Sequence, residues 1–129
     1  YLDGIATYAR GKRRDVSDNL YRLAPPNASF GVTREVDDLS VTAQVVAYAK
    51  QDKVSSFNDE QETAGYALAN LAMAWSPTES LRVEARVDNL FDKTWADHLN
   101  RANQDPFNPD PVQVNEPGRT AWVNWRHSF

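Results

Sequence analysis

Glu116–Phe129 reads EPGRTAWVNWRHSF, and its facing rows decide the fold. Counting back in twos gives Phe129, His127, Trp125, Val123 and Ala121; between them lie Ser128, Arg126, Asn124, Trp122 and Thr120. One row is mostly apolar and the other mostly polar, the period-2 signature of a strand between two different surroundings. A soluble domain seldom closes on a strand ending in a bare Phe. A membrane β-barrel uses one, because its outer face meets lipid and its rims carry aromatic girdles.

The same alternation recurs upstream. Tyr1–Arg10 is predicted as a strand with Leu2, Gly4, Ala6 and Tyr8 on one side, although Ile5 falls in the other row. Asn27–Arg34 sets Ala28, Phe30 and Val32 against Ser29, Gly31 and Thr33, and a tight turn is expected around Val36–Asp38. Leu39–Lys50 alternates over its length, with Val46 as the exception. Gly65 opens a strand carrying Ala67, Ala69, Leu71, Met73 and Trp75 in one row, and Ser76–Ser80 is expected to turn. Leu81–Asp88 alternates without error: Leu81, Val83, Ala85 and Val87 against Arg82, Glu84, Arg86 and Asp88.

Between these segments lie polar stretches at 11–26, 51–64 and 90–117, broken by Gly and Pro. About six strands joined long, short, long, short, long place every short turn at one end of an antiparallel meander. Outer-membrane barrels have that asymmetry, with short periplasmic turns and longer external loops. The fold expected is therefore all-β, an antiparallel meander forming part of a transmembrane barrel. An energetic argument agrees. The row Leu81, Val83, Ala85, Val87 facing water without a covering layer would be a wide apolar patch prone to aggregation. The row Arg82, Glu84, Arg86 facing lipid would cost about 2–4 kcal/mol for each Arg near the midplane. Lipid on the apolar side and a wet or plugged lumen on the charged side is the arrangement that survives. Trp75, Val123, Trp125 and Phe129 are then lipid-facing or girdle residues, and Asp88, Trp122, Asn124 and Arg126 face the lumen. His127 stands on the outward row at the turn end, where the penalty falls to roughly 0–1 kcal/mol.

Composition narrows the rest. The 129 residues suit one domain or part of a larger one. The chain opens on Tyr1 with no signal-type stretch, and is expected to be the C-terminal part of a longer polypeptide. No run approaches the roughly 18 apolar residues of a membrane helix. A mean hydropathy of -0.65 would suit a soluble protein, but barrel strands hide about half their residues from lipid. A net charge of -4 argues against a nucleic-acid surface. With Cys 0, thiolate metal sites and disulfides within the segment are excluded.

The segment Val87-Asp88-Asn89-Leu90-Phe91-Asp92-Lys93, then Trp95 and His98, then Glu116-Pro117-Gly118-Arg119 and terminal Phe129, resembles the end of TonB-dependent outer-membrane receptors. In that family a strand ending in NLFDK leads into the last external loop, and a PGR stretch opens the final strand. RLAPPN (22–27) and GYALANL (65–71) also fit, so the resemblance runs along the whole chain. Trp95 departs from the family, which more often has Tyr there. The resemblance implies a barrel of about 22 strands filled by an N-terminal plug, with TonB engaging a segment near the plug's N-terminus. Residues 1–129 would supply the last strands and loops, without the plug. The implied location is the outer membrane of a Gram-negative bacterium, and the implied activity is active transport of a metal ion or metal chelate. Its partners would be the plug, the remaining strands, TonB and membrane lipid; no cofactor is implied.

VDNLFDKTWADHLNRA (87–102), LYRLAPP (20–26) and QDKV (51–54) resemble more narrowly the copper-receptor branch, while siderophore receptors share the terminal motifs. Copper favours sulfur and imidazole ligands. Here only Met73, His98 and His127 qualify, so the ligands are expected mostly outside this segment. Substrate-contact candidates are His98, Asp97 and Arg101 in the last loop and Arg13 and Arg14 in the first. The bland reading of His98 is a solvated or locally bonded loop residue. Arg10, Lys12, Arg13 and Arg14 either attract an anionic siderophore or lipopolysaccharide phosphate, or form an ordinary basic loop. Asn103–Pro111 lacks the D-x-[DN]-x-[DN]-G spacing of an EF-hand and reads as loop. Asn89, Phe91 and Asp92 are assigned to structure, since Asx side chains bond locally in turns. There is no G-x-S-x-G, H-E-x-x-H or glycine-rich phosphate loop. A small outer-membrane barrel enzyme and a soluble β-sandwich binding module remain as rival classes.

Overall fold

The computed structural model describes residues 1–100 and 113–129. Its strands are β1 (Leu2–Thr7), β2 (Asn27–Val36), β3 (Leu39–Tyr48), β4 (Tyr66–Thr78), β5 (Leu81–Asp88) and β6 (Thr120–His127). They form one open antiparallel sheet in the order β1-β2-β3-β4-β5-β6. This is the expected meander, because each connection returns the chain beside the strand it has just left.

Register turns the separate alternations into two continuous faces. Phe30 pairs with Val45, Val45 with Ala69, Met73 with Ala85, and Ala85 with Val123. Every apolar row thus lands on the same side of the sheet. A slip of one residue at any interface would put an apolar row on the polar side, which is why hydrophobic patterning fixes the pairing. The opposite face carries Ser29, Thr42, Gln44, Asn70, Glu84 and Asn124. There Thr33 and Thr42 hydroxyls meet at 2.9 Å and Asn70 Nδ2 donates to Gln44 Oε1 at 3.2 Å.

Among the described residues no second layer covers the apolar face. Phe30 is 53% exposed, Val45 49%, Val123 73% and Trp125 75%, while the buried apolar side chains, Pro25 and Ala96, lie in the connections. A soluble sandwich would bury these side chains against a partner sheet. Here they remain open to whatever surrounds the sheet.

Several strand ends differ from expectation. β1 stops at Thr7 rather than near Arg10, and β2 continues past Arg34 to Val36 before the two-residue turn at Asp37–Asp38. β4 runs through the expected Ser76–Ser80 turn to Thr78, leaving only Glu79 and Ser80 in the turn. Its register shifts by one residue between Trp75 and Thr78. Pro77 cannot donate to the ladder, and a bulge is the way a strand accommodates it. β6 begins at Thr120, since Pro117 and Gly118 precede it as irregular chain.

Candidate functional site at the loop end of the sheet

The three long connections all leave from one end of the sheet, and polar side chains tie them together. Two short bridges stiffen their bases: Gln51 pairs with Thr63, and Lys12 with Asn19. Above them sits Asp18, from the first connection. Its carboxylate accepts from Ser55 Oγ at 2.7 Å and from the backbone N–H groups of Asn19 at 2.8 Å, Phe57 at 3.1 Å and Ser56 at 3.2 Å. The Ser55 hydroxyl first, and then the Phe57 amide, hold this carboxyl well below the usual range, because each donor favours the ionised form. Ser55 is fully buried beneath it.

Glu60, from the second connection, joins all three. Its Oε1 accepts the Arg22 N–H at 2.7 Å and its Oε2 accepts the Ser55 N–H at 2.7 Å. His98 Nε2, from the third connection, stands 3.2 Å from Oε1, off the line of a hydrogen bond but within ion-pair reach when protonated. The other ring nitrogen, Nδ1, lies 2.9 Å from Thr63 Oγ1. Arg22 closes the circuit by donating from Nη2 to the Leu99 carbonyl at 2.7 Å. The His98 and Glu60 side chains are only 3% and 7% exposed. His98 is therefore neither solvated nor locally bonded: both partners lie more than thirty residues away.

The third connection is anchored at its root by the NLFDK segment. Asn89 is buried with φ 52°, a left-handed conformation Asn tolerates better than most residues. Its Nδ2 donates to the Lys93 carbonyl at 2.8 Å and its Oδ1 accepts the Lys93 N–H at 2.8 Å. Asp92 then reaches across to the PGR stretch, where its Oδ1 accepts the Arg119 N–H at 2.8 Å. A Cβ on Gly118 would stand 2.5 Å from that oxygen, so a larger residue there would push the Asp92 carboxylate aside. Two halves of a sequence pattern, 27 residues apart, are one contact. On the polar side of the sheet a column of rings marks the same end. Tyr48 stacks on Tyr66 at 4.8 Å, and Trp95 tilts onto Tyr66 at 4.8 Å.

The other sequence candidates fall apart from this junction. Arg13 pairs with Asp15 and lies 5.1 Å from the centre of the Phe57 ring, so its charge is already engaged. Arg14 is exposed. Asp97 accepts the Leu99 N–H at 2.8 Å, a local turn contact. Arg101 and the run Asn103–Pro111 lie outside the described residues. The polar face of β5 carries two ion pairs, Arg82–Glu84 at 2.8 Å and Arg86–Asp88 at 2.7 Å. Opposite them on β6, Trp122 faces Arg86, Asn124 faces Glu84 and Arg126 faces Arg82. Among the described residues no group of three His, Cys, Asp or Glu is placed to hold a metal ion. Asp18, Ser55, Glu60 and Thr63 carried no signal in the sequence, because solvated loops are full of such residues and only the fold brings these four together.

No protein-family model matches the chain. Among curated proteins, the ferric enterobactin receptor of Pseudomonas aeruginosa is 36% identical over 107 residues, which is 72% of this chain and 14% of that receptor. Among solved structures, the copper transporter OprC superposes with a TM-score of 0.91 at 32% identity, over 99% of this chain and 20% of that one. A point mutant of the ferric enterobactin receptor from Pseudomonas aeruginosa superposes with a TM-score of 0.73 at 26% identity, again over 99% of this chain and 20% of the other. The chain spans a fifth or less of the length of these relatives.

Proposed function

We propose, from the premise that this chain belongs to the TonB-dependent receptors of the Gram-negative outer membrane and forms a six-stranded segment of their barrel, that its parent draws a metal ion or metal chelate inward across that membrane. The observation that carries the reading is the likeness to a copper transporter along 99% of the chain, at a TM-score of 0.91. Copper is the favoured cargo because the corresponding score against the enterobactin receptor is 0.73. Siderophore-bound iron is the second reading, favoured by the 36% sequence identity to a ferric enterobactin receptor.

In this reading lipid covers the apolar face, including Leu81, Val83, Ala85, Val87, Trp75, Val123, Trp125 and Phe129. The polar face, including Arg82, Glu84, Arg86, Asp88, Trp122, Asn124 and Arg126, lines the lumen and meets a plug supplied elsewhere in the parent. TonB acts through that plug. The loop end is external. His98 then serves as a post holding loops together, leaving Arg14 and the outer parts of the loops to meet substrate. Met73 lies on the apolar face, His98 is engaged with Thr63, and His127 sits at the turn end. Most copper ligands accordingly lie elsewhere in the parent, and we assign no enzymatic activity.

Metal accumulation in cells lacking the full-length parent tests this. Loss of copper uptake, restored by the parent gene, is the expected result. Undiminished copper uptake with loss of ferric chelate uptake would favour the second reading, and normal accumulation of both would end the transport assignment.

A further inference from the structure

One charged residue breaks the apolar face among the described strand residues: Arg34. Its register partner is Val41, which pairs in turn with Met73, and its neighbours along the same face of β2 are Val32 and Val36. Its facing is thus fixed by regular pairing on the lipid side of the barrel. The residue is exposed, and no ion pair joins it to Glu35, Asp37 or Asp38 among the described residues. Glu35 points to the opposite face by alternation.

Depth decides what such a cation can meet. Arg34 lies two residues from the end of β2, which for a strand tilted near 45° is about 5 Å from the turn end along the membrane normal. A lone Arg at the midplane would cost about 2–4 kcal/mol, whereas near the interface the cost drops to roughly 0–1 kcal/mol. A long side chain at this depth lays its stem on the apolar surface and sends its head to the interface. Trp75, on the same face and one row nearer the turns, marks that interface independently, since aromatic side chains gather where hydrocarbon gives way to headgroups. Val32, Val36, Val41 and Met73 around the stem give acyl chains an apolar bed.

We propose that Arg34 binds the phosphate of a glycerophospholipid in the periplasmic leaflet and so fixes the depth of this part of the barrel. The guanidinium supplies the charge and donors that a phosphodiester accepts, and the lipid's tails cover the aliphatic row beside it. This inference rests on the membrane reading above.

The test is native mass spectrometry of the intact receptor titrated with phosphatidylglycerol, with diacylglycerol of the same tails, and with inorganic phosphate. Arg34→Leu is expected to weaken phosphatidylglycerol retention about fivefold, the effect of removing one interfacial charge. Arg34→Lys should stay within about twofold of the parent, because the charge is kept. Diacylglycerol retention should be the same in all three, and inorganic phosphate alone should leave no adduct that depends on Arg34. Unchanged phosphatidylglycerol retention in Arg34→Leu overturns the proposal. So does an equal loss of diacylglycerol, a Lys variant as weak as the Leu variant, or an Arg34-dependent adduct of free phosphate. A protein that never fractionates with the outer membrane would remove the membrane reading itself; a correctly inserted receptor with unaltered lipid retention removes only this inference.

Discussion

The strands and the loop end of this molecule are held together by different means. Across the sheet, stability comes from backbone ladders and from keeping two unlike rows on two unlike sides, so neighbouring residues in sequence carry the information. At the loop end, contacts such as Asp18–Ser55, Glu60–Arg22 and His98–Thr63 join residues 35 to 38 positions apart. The difference teaches that the wall of the barrel tolerates many sequences of the right period, while the cap depends on a few irreplaceable polar atoms. Substitutions in the wall should therefore be judged by facing, and substitutions in the cap by identity.

The largest effect should come from violating the facing of the wall. Val83→Arg places a guanidinium on the apolar side, which under the proposed lipid facing costs about 2–4 kcal/mol near the midplane. Asn124→Arg adds the same group on the polar face, opposite Glu84 in register, and should cost almost nothing. Heat-modifiability of the assembled parent on gels compares them. Equal assembly of the two variants would break the division of the sheet into a lipid side and a lumen side.

Next comes the joint between wall and cap. Asn89→Ala removes both side-chain hydrogen bonds to Lys93 and leaves a non-Asn residue at φ 52°. Unsatisfied buried groups cost about 1–3 kcal/mol each. Hydrogen exchange should rise across 90–100 while β3 and β4 stay protected; exchange that rises equally in the strands would show that cap and wall are not separable.

This division also explains what could be read from the residues alone. Strand number, order and facing were legible because Leu81–Asp88 keeps a strict period of two and Leu39–Tyr48 departs from it only at Val46, and that period has one consistent pairing. The bulge at the end of β4 was not, since Pro77 between Ser76 and Thr78 reads as a turn until the partner strand shows the ladder resuming. Asn89 and Asp92 were legible as Asx residues at a turn, but the reach of Asp92 to Arg119 was not. His98 illustrates the limit best: a histidine in a polar loop invites a ligand role, and nothing in the sequence announces its contacts with Thr63, 35 residues away, and with Glu60.

Within the cap, Glu60→Gln should act more weakly than Asn89→Ala on the whole chain but more widely on the loops. Gln presents an amide N–H where a carboxylate oxygen accepts from Arg22 or Ser55, so one charge-assisted bond is lost, about 1–3 kcal/mol. Exchange should increase in all three connections together. An increase confined to 51–64 would mean that the loops are not coupled through this carboxylate.

The smallest effect at neutral pH, and the one most specific to the cap, belongs to Asp18. Its folded-state pKa lies below the ordinary value near 3.9, so the unfolded loop binds its proton first as pH falls. The stabilisation is then fully present above that ordinary value and drains away only as pH drops through the depressed folded one. Protection of 54–58 should accordingly hold at pH 5 and decline below about pH 4. Asp18→Asn should abolish that decline, because the titrating group is gone, while loosening 54–58 at every pH through the weaker acceptor. The wall supplies the control, since among the described residues the side-chain hydrogen bonds of Asp18 all go to the loops. An acid-induced decline that persists unchanged in Asp18→Asn would move the titration to another carboxylate and leave Asp18 as packing alone.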